Sequence, residues 1–302
     1  MQSELNKELI RYYALISVFE KTIFEIDSEM KNSDKWFIFC SKIGRKFLIH
    51  LKSLVLNAIQ GIANIEIDDI NVTEELDISL LNANIRLQLD TYATFYHIFI
   101  HDGDWAEKII RFRLWQMDAL ISRQKFTHDR LPEAEQQIAD EKQQIQDCFS
   151  IIEGFDFFKN LSDSQKNRLV KKDGRNFSYA NWRFDTSLLS GKKTQFSWKD
   201  LTLNTGIKSE IYSDMHNFTS MHVHSNYISI LQNEGLSIED QHDSRMVALR
   251  LSSYLTCLFL DDLCNRFLSA KEVAKSLSAD ELDLIKTLLR HGRKAEMIKH
   301  FL

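Results

Sequence analysis

LNKELIRYYALISVFEKTIFEIDSEM, residues 5–30, places apolar side chains at three- and four-residue spacing: Leu9, Tyr12, Tyr13, Ile16, Phe19, Ile23, Phe24 and Ile26. That spacing gathers them along one side of an α-helix, and no Gly or Pro interrupts it. The rest of the chain follows suit. Its 302 residues include 1 Pro and 9 Gly, where average usage would supply roughly 15 and 21. The deficit argues against turn-dense all-β folds. The fold class expected is mainly α, a multi-helix bundle of long antiparallel helices joined by short loops.

Beyond this segment, further helices are predicted at 34–62, with Ser33 or Asp34 as cap, and at 79–101, 104–125, 132–158, 206–227 and 239–268. Residues 65–75, rich in Asp and β-branched side chains, form a connector with room for a short strand. Ser162 with Gln165 and Ser278 with Glu281 each spell a capping box. The stretch EAEQQIADEKQQIQDCF within 132–158 is polar enough to form a protruding helical arm. Between 171 and 200 the helical period breaks at Gly174, Gly191 and the aromatic run RNFSYANWRF, so this insertion is expected as an irregular loop or short hairpin. With incomplete apolar faces on both sides of it, 1–302 is taken as a single helical domain, without internal repeats.

A formal charge of −5 rules out a global basic field for DNA or an anionic membrane. Uncharged stretches such as 53–65 and 251–260 fall well short of the roughly 20 residues that span a bilayer. No membrane association is expected, and the N-terminus lacks the pattern of a secretory leader, so the expected location is cytoplasmic. Cys40, Cys148, Cys257 and Cys264 form no CxxC pair and are expected as buried thiols in a reducing compartment.

Several constellations are candidates for chemistry. Arg86 and Asp90 lie four apart on one helix face and can pair; Tyr92, Tyr96, His97 and His101 continue the same helix. HNFTSMHVHSN, residues 216–226, aligns Ser220 with His224, a pair that a third group could turn into an activated nucleophile, although no Gly-x-Ser-x-Gly elbow surrounds it. Arg123 with His128 has the Arg/His spacing of HEPN ribonucleases, but Arg45 with His50 and Arg293 with His300 share it, so chance explains the pattern equally well. His-Asp dipeptides at His101, His128 and His242 admit a metal-dependent phosphohydrolase only weakly, and Glu239 with His242 alone cannot build a di-iron bundle. No zinc signature or phosphate-binding glycine loop is present, so neither metal nor cofactor is expected. Lys171, Lys172, Arg175 and Arg183 are interleaved with Phe177, Tyr179, Trp182 and Trp198, a pattern suited to single-stranded nucleic acid; in the alternative, the aromatics plug the bundle and the lysines stay solvated.

Three segments together, IRLQLDTYATFYHIF (85–99), RFRLWQMDALISRQKF (111–126) and SEIYSDMHNFTSMHVHSNYIS (209–229), resemble a bacterial all-helical family of unknown function. Its members carry an Arg-x3-acid helix, an Arg/Trp/Leu-rich helix and a Ser-x3-His element, usually with Glu where this chain has Asp90. The resemblance implies that Arg86, Asp90, Ser220 and His224 form its recurring polar positions. It carries no activity, and its architecture is loosely similar to HEPN-type bundles, which often serve in toxin and phage-defence systems; that step is analogy of fold. Two functions are therefore entertained. One is a non-catalytic adaptor or sensor that meets a protein partner or a second copy through helical surfaces. The other is a HEPN-like, metal-independent ribonuclease or toxin-type effector, with His224 or His128 as base and Arg86 or Arg123 steadying phosphate. Arg86, Asp90, Ser220 and His224 are further expected to meet in one polar cluster capped by the 171–200 insertion.

Overall fold

A computed structural model of the chain describes residues 2–31, 36–59, 64–67, 70–73, 76–125, 132–174, 176–189, 191, 195–223 and 237–301. The chain is mainly α. It divides into two compact units, Met1–Tyr96 with Thr202–Leu302, and His97–Leu201. The insertion at 171–200 lies within the second unit, together with the helices from residue 105 onward.

The first unit opens with α1 (Gln2–Met30) and α2 (Phe39–Ile59), followed by the antiparallel pair β1 (Asn64–Ile67) and β2 (Ile70–Thr73) in the expected connector. Next comes α3 (Ile78–Phe95), whose N-cap Asp77 accepts a hydrogen bond from the Leu80 amide. At Tyr96 the helix widens into a π-helical turn, Tyr96–Ile100, where the sequence suggests regular α-helix to residue 101. Of the later helices, α8 (Trp198–Asn204) straddles the division. This unit then holds α9 (Ser209–Val223), α10 (Ile238–Arg266), α11 (Leu268–Lys275) and α12 (Ala279–Gly292). The capping boxes at Ser162 and Ser278 form as their spacing suggests. The Ser33/Asp34 cap lies outside the described residues.

Aromatic packing fixes the core of the first unit. Phe259 of α10 meets Phe19 at 5.3 Å between ring centroids, Phe47 at 5.0 Å and Phe95 at 4.4 Å, so it joins α1, α2 and α3. Fully burying such a ring contributes about 1.5–3 kcal/mol. Gly44 lets α2 approach α1, because a Cβ there would strike the Ile23 side chain. Among the described residues no helix is long and apolar enough to cross a membrane, and Cys40, Cys148, Cys257 and Cys264 are all buried with free thiols.

The second unit contains α4 (Trp105–Arg123), α5 (Pro132–Gly154), the short helices α6 (Asp156–Lys159) and α7 (Asp163–Leu169), and an antiparallel hairpin of β3 (Val170–Asp173) and β4 (Asn176–Ala180). Gly174, at φ 60°, makes its turn. The expected protruding arm is corrected here: Ile145, Cys148, Phe149 and Ile152 form a helical stripe on α5 that is buried, and α5 packs along α4. The segment also ends at residue 154, where extended Phe155 separates α5 from α6. Its many Gln and Glu residues occupy only the solvent side, and the apolar stripe decides the outcome.

Candidate functional site

Arg111 is the most deeply buried charge of the second unit, and its side chain has no exposed surface. It projects from α4 on the face that carries Ile110, Leu114 and Met117 into the core. An isolated guanidinium there would be costly, so it needs partners. Its Nη2 donates to Oε1 of Glu107, one turn earlier, at 2.6 Å, and lies 3.7 Å from Oδ2 of Asp185. Its Nη1 donates to the His97 carbonyl at 3.3 Å. Asp185 comes from the 171–200 insertion, where its Oδ1 accepts from the Ser187 amide and caps the 3-10 turn Thr186–Leu188. The insertion thus closes over a polar cluster within its own unit.

Two histidines complete the group. His97 sits in the π-helical turn, a device that adds a residue to the local register and re-aims side chains. Its ring is buried, with Nε2 3.1 Å from the Trp182 carbonyl oxygen. Donation through Nε2–H leaves Nδ1 unprotonated, and that atom is buried with no hydrogen-bond partner among the described residues. His101 Nε2 lies 3.3 Å from Asp185 Oδ2, and the Phe196 ring meets both imidazoles edge-on. His101 and Asp185 form the wet edge of the cluster, with side chains 16% and 18% exposed.

Burial sets the protonation pattern. It holds His97 well below the usual imidazole range, reinforced by Arg111 and His101. His101 is lowered by the same burial and by Arg111, against the pull of Asp185. Burial raises Glu107 while Arg111 opposes it. For Asp185, burial raises the carboxyl, yet hydrogen bonds from Ser187 and His101 and the nearby Arg111 outweigh it and hold it below the usual range. At neutral pH the cluster therefore holds one guanidinium, two carboxylates and two neutral imidazoles.

Of the residues singled out from the sequence, His97 and His101 join this cluster, and the others lie elsewhere. Arg86 Nε donates to Asp90 Oδ2 at 3.3 Å on α3, with side chains 25% and 34% exposed. Burial raises Asp90, while Arg86, His216 and Lys46 pull it down. The helix that carries Ser220, α9, packs against α3, and Ser220 is half-buried on it. His224, His128 and Arg175 lie outside the described residues. Arg123 pairs with the buried Glu141 at 2.5 Å. Arg293, one of the chance Arg/His pairs, is fully buried in the first unit between Asp261 and Asp262, each at 2.7 Å.

In the basic-aromatic insertion, Lys171 and Lys172 are exposed, and the Lys172 ammonium sits over Phe149 at 4.2 Å and Phe177 at 4.8 Å. Trp182 is buried, whereas Trp198 is 37% exposed with the Arg183 guanidinium over its ring at 5.6 Å. The aromatics largely plug the unit. Only Trp198, of the two tryptophans, offers a face at the surface.

Among the described residues, no three His, Cys, Asp or Glu side chains converge as metal ligands. No family model, curated protein or solved structure matches the chain.

Proposed function

We propose that the chain works as a non-catalytic helical adaptor or sensor. The observation that supports this reading is how Arg111 is used. An arginine that steadies phosphate charge in a reaction must aim its N–H groups at the ligand, whereas Arg111 aims them at Glu107, Asp185 and the His97 carbonyl. With two carboxylates against one guanidinium, the cluster has no surplus positive charge to attract an anion. Its role in this reading is to tie α4, the π-helical turn and the insertion together. Incubating the purified protein with total RNA in EDTA tests it. Intact RNA is expected.

One observation favours a second reading. His101 is partly exposed, neutral at physiological pH and oriented by Asp185, which are the properties of a general base. In that reading the chain is a metal-independent endoribonuclease, and the base is His101, in place of His128 or His224. RNA cleavage in EDTA that falls by about 100-fold or more in His101→Ala, with the circular dichroism spectrum unchanged, would establish this alternative and overturn the adaptor; the size follows from the usual contribution of a general base.

A further inference from the structure

The outer face of α1 and α2 is unusually apolar for a surface. Ile10, Tyr13 and Phe24 on α1, with Ile49, Leu56 and Ile59 on α2, are between 37% and 69% exposed. They follow helical spacing on both helices, with Ser17 and Glu20 between Tyr13 and Phe24 on α1 and Lys52 between Ile49 and Leu56 on α2. The buried contacts of Phe19 with Phe47 and of Ile23 with Gly44 set the antiparallel register, which places Leu56 near the level of Ile10, and ion pairs between Arg45 and Asp27 and between Lys52 and Glu20 bridge the helices at the surface. Exposed apolar side chains interleaved with ion pairs on a water-facing helix pair make a face suited to a protein contact.

The charges say what fits it. Charged residues of α2 are Lys42, Arg45, Lys46 and Lys52, without a single carboxylate, whereas α1 meets them with Glu20 and Asp27. The face is thus split lengthwise into an acidic helix and a basic one. A second copy is self-complementary to such a face in one arrangement, a two-fold axis running parallel to the helices. That axis keeps every residue at its own height and sets α1 over α2 of the other copy. Glu20 then meets a second Lys52, and Asp27 a second Arg45. A two-fold axis perpendicular to the helices would instead lay acid on acid. With helices about 10 Å apart and α2 about 30 Å long, the face measures roughly 600 Å² per copy, so about 1,200 Å² is buried in total, at the lower limit of specific interfaces.

We propose that the α1–α2 face is a homodimer interface in which the two copies form a four-helix layer with α1 against the partner's α2. It is independent of how the histidine cluster is read. Analytical ultracentrifugation of the full chain tests it. The wild type is expected to sediment at twice the 35.4 kDa chain mass at concentrations of tens of micromolar, in keeping with a Kd of order micromolar. Phe24→Glu with Leu56→Glu alters only exposed positions and is expected to give a monomer with unchanged circular dichroism. Two charge variants check the arrangement. One turns both ion pairs acidic (Arg45→Glu, Lys52→Glu) and the other turns both basic (Glu20→Lys, Asp27→Lys); each alone is expected to be monomeric, and their mixture dimeric. A monomeric wild type, including one that binds lipid vesicles or another protein through this face, overturns the proposal, as does a Phe24/Leu56 variant that stays dimeric.

Discussion

Arg293 in the first unit and Arg111 in the second solve the same problem with different outcomes. Each side chain is fully buried and paired with two carboxylates, and each leaves its Nε without a hydrogen-bond partner among the described residues. Around Arg293 the partners Asp261 and Asp262 are as sealed as the arginine, at 0% and 2% exposure. Tyr92 donates to Asp262 at 2.6 Å, and the amides of Lys299 and His300 donate to Asp261, which anchors residues far apart in sequence. Burial pushes Asp262 up to about 6, against the pull of Arg293. Around Arg111 one carboxylate reaches water, and two histidines join. A closed cluster only holds a fold together; an open edge can also respond to pH.

The greatest loss of stability follows from closure. Arg293→Met leaves two buried aspartates without a counter-ion and is expected to cost about 3–5 kcal/mol, read as lost hydrogen-exchange protection in α10 and α12. A loss under about 1 kcal/mol would mean that water reaches the aspartates, erasing the contrast. Arg111→Met is expected to cost less, about 1–3 kcal/mol, because Asp185 can turn to solvent. Tryptophan fluorescence during denaturation reports it, since Trp105, Trp115, Trp182 and Trp198 all lie in the second unit. Equal losses at the two sites would show that the open edge makes no difference.

A lesser effect separates the units by pH. His97 and His101 have lowered folded-state pKa values, so as pH falls below about 6.5 the unfolded chain takes up protons first and the second unit loses stability. Glu107, which is raised, opposes this only at lower pH, where carboxylates titrate. In the first unit Asp262 works the other way. Its carboxyl is raised, so its cost is relieved as pH falls through about 6, although the lowered His50 and His300 offset part of that gain. Between pH 6.5 and 5 the tryptophan transition is expected to shift to lower denaturant before the exchange protection of α10 declines. A reversed order would show that the histidines are not held neutral.

The fold is legible in the sequence because helix-forming segments bury periodic stripes, and the stripes of α1, α3, α4 and α10 depend on local spacing alone. The protruding arm is a misreading because 132–158 is dominated by polar residues, while its stripe of Ile145, Cys148, Phe149 and Ile152 is narrow. The polar cluster is harder still. Glu107 and Arg111 stand four apart on an apolar stripe, a signal as strong as Arg86 with Asp90, and Asp261 with Asp262 interrupt an apolar run where charge has no surface to occupy. Asp185 carries no such mark, because its partners in the cluster, His101 and Arg111, lie more than seventy positions away. Nor does any local rule announce the π-helical turn at Tyr96.

Whether the buried charges of the second unit are spent within the chain is decided at the His101 ring. Nuclear magnetic resonance can follow its titration alone and with added inorganic phosphate or a short oligoribonucleotide. A pKa below 6.5 that neither addition moves is expected. A pKa raised on adding the oligonucleotide would show an anion seated beside His101 and Arg111, and would refute the internal use of these charges.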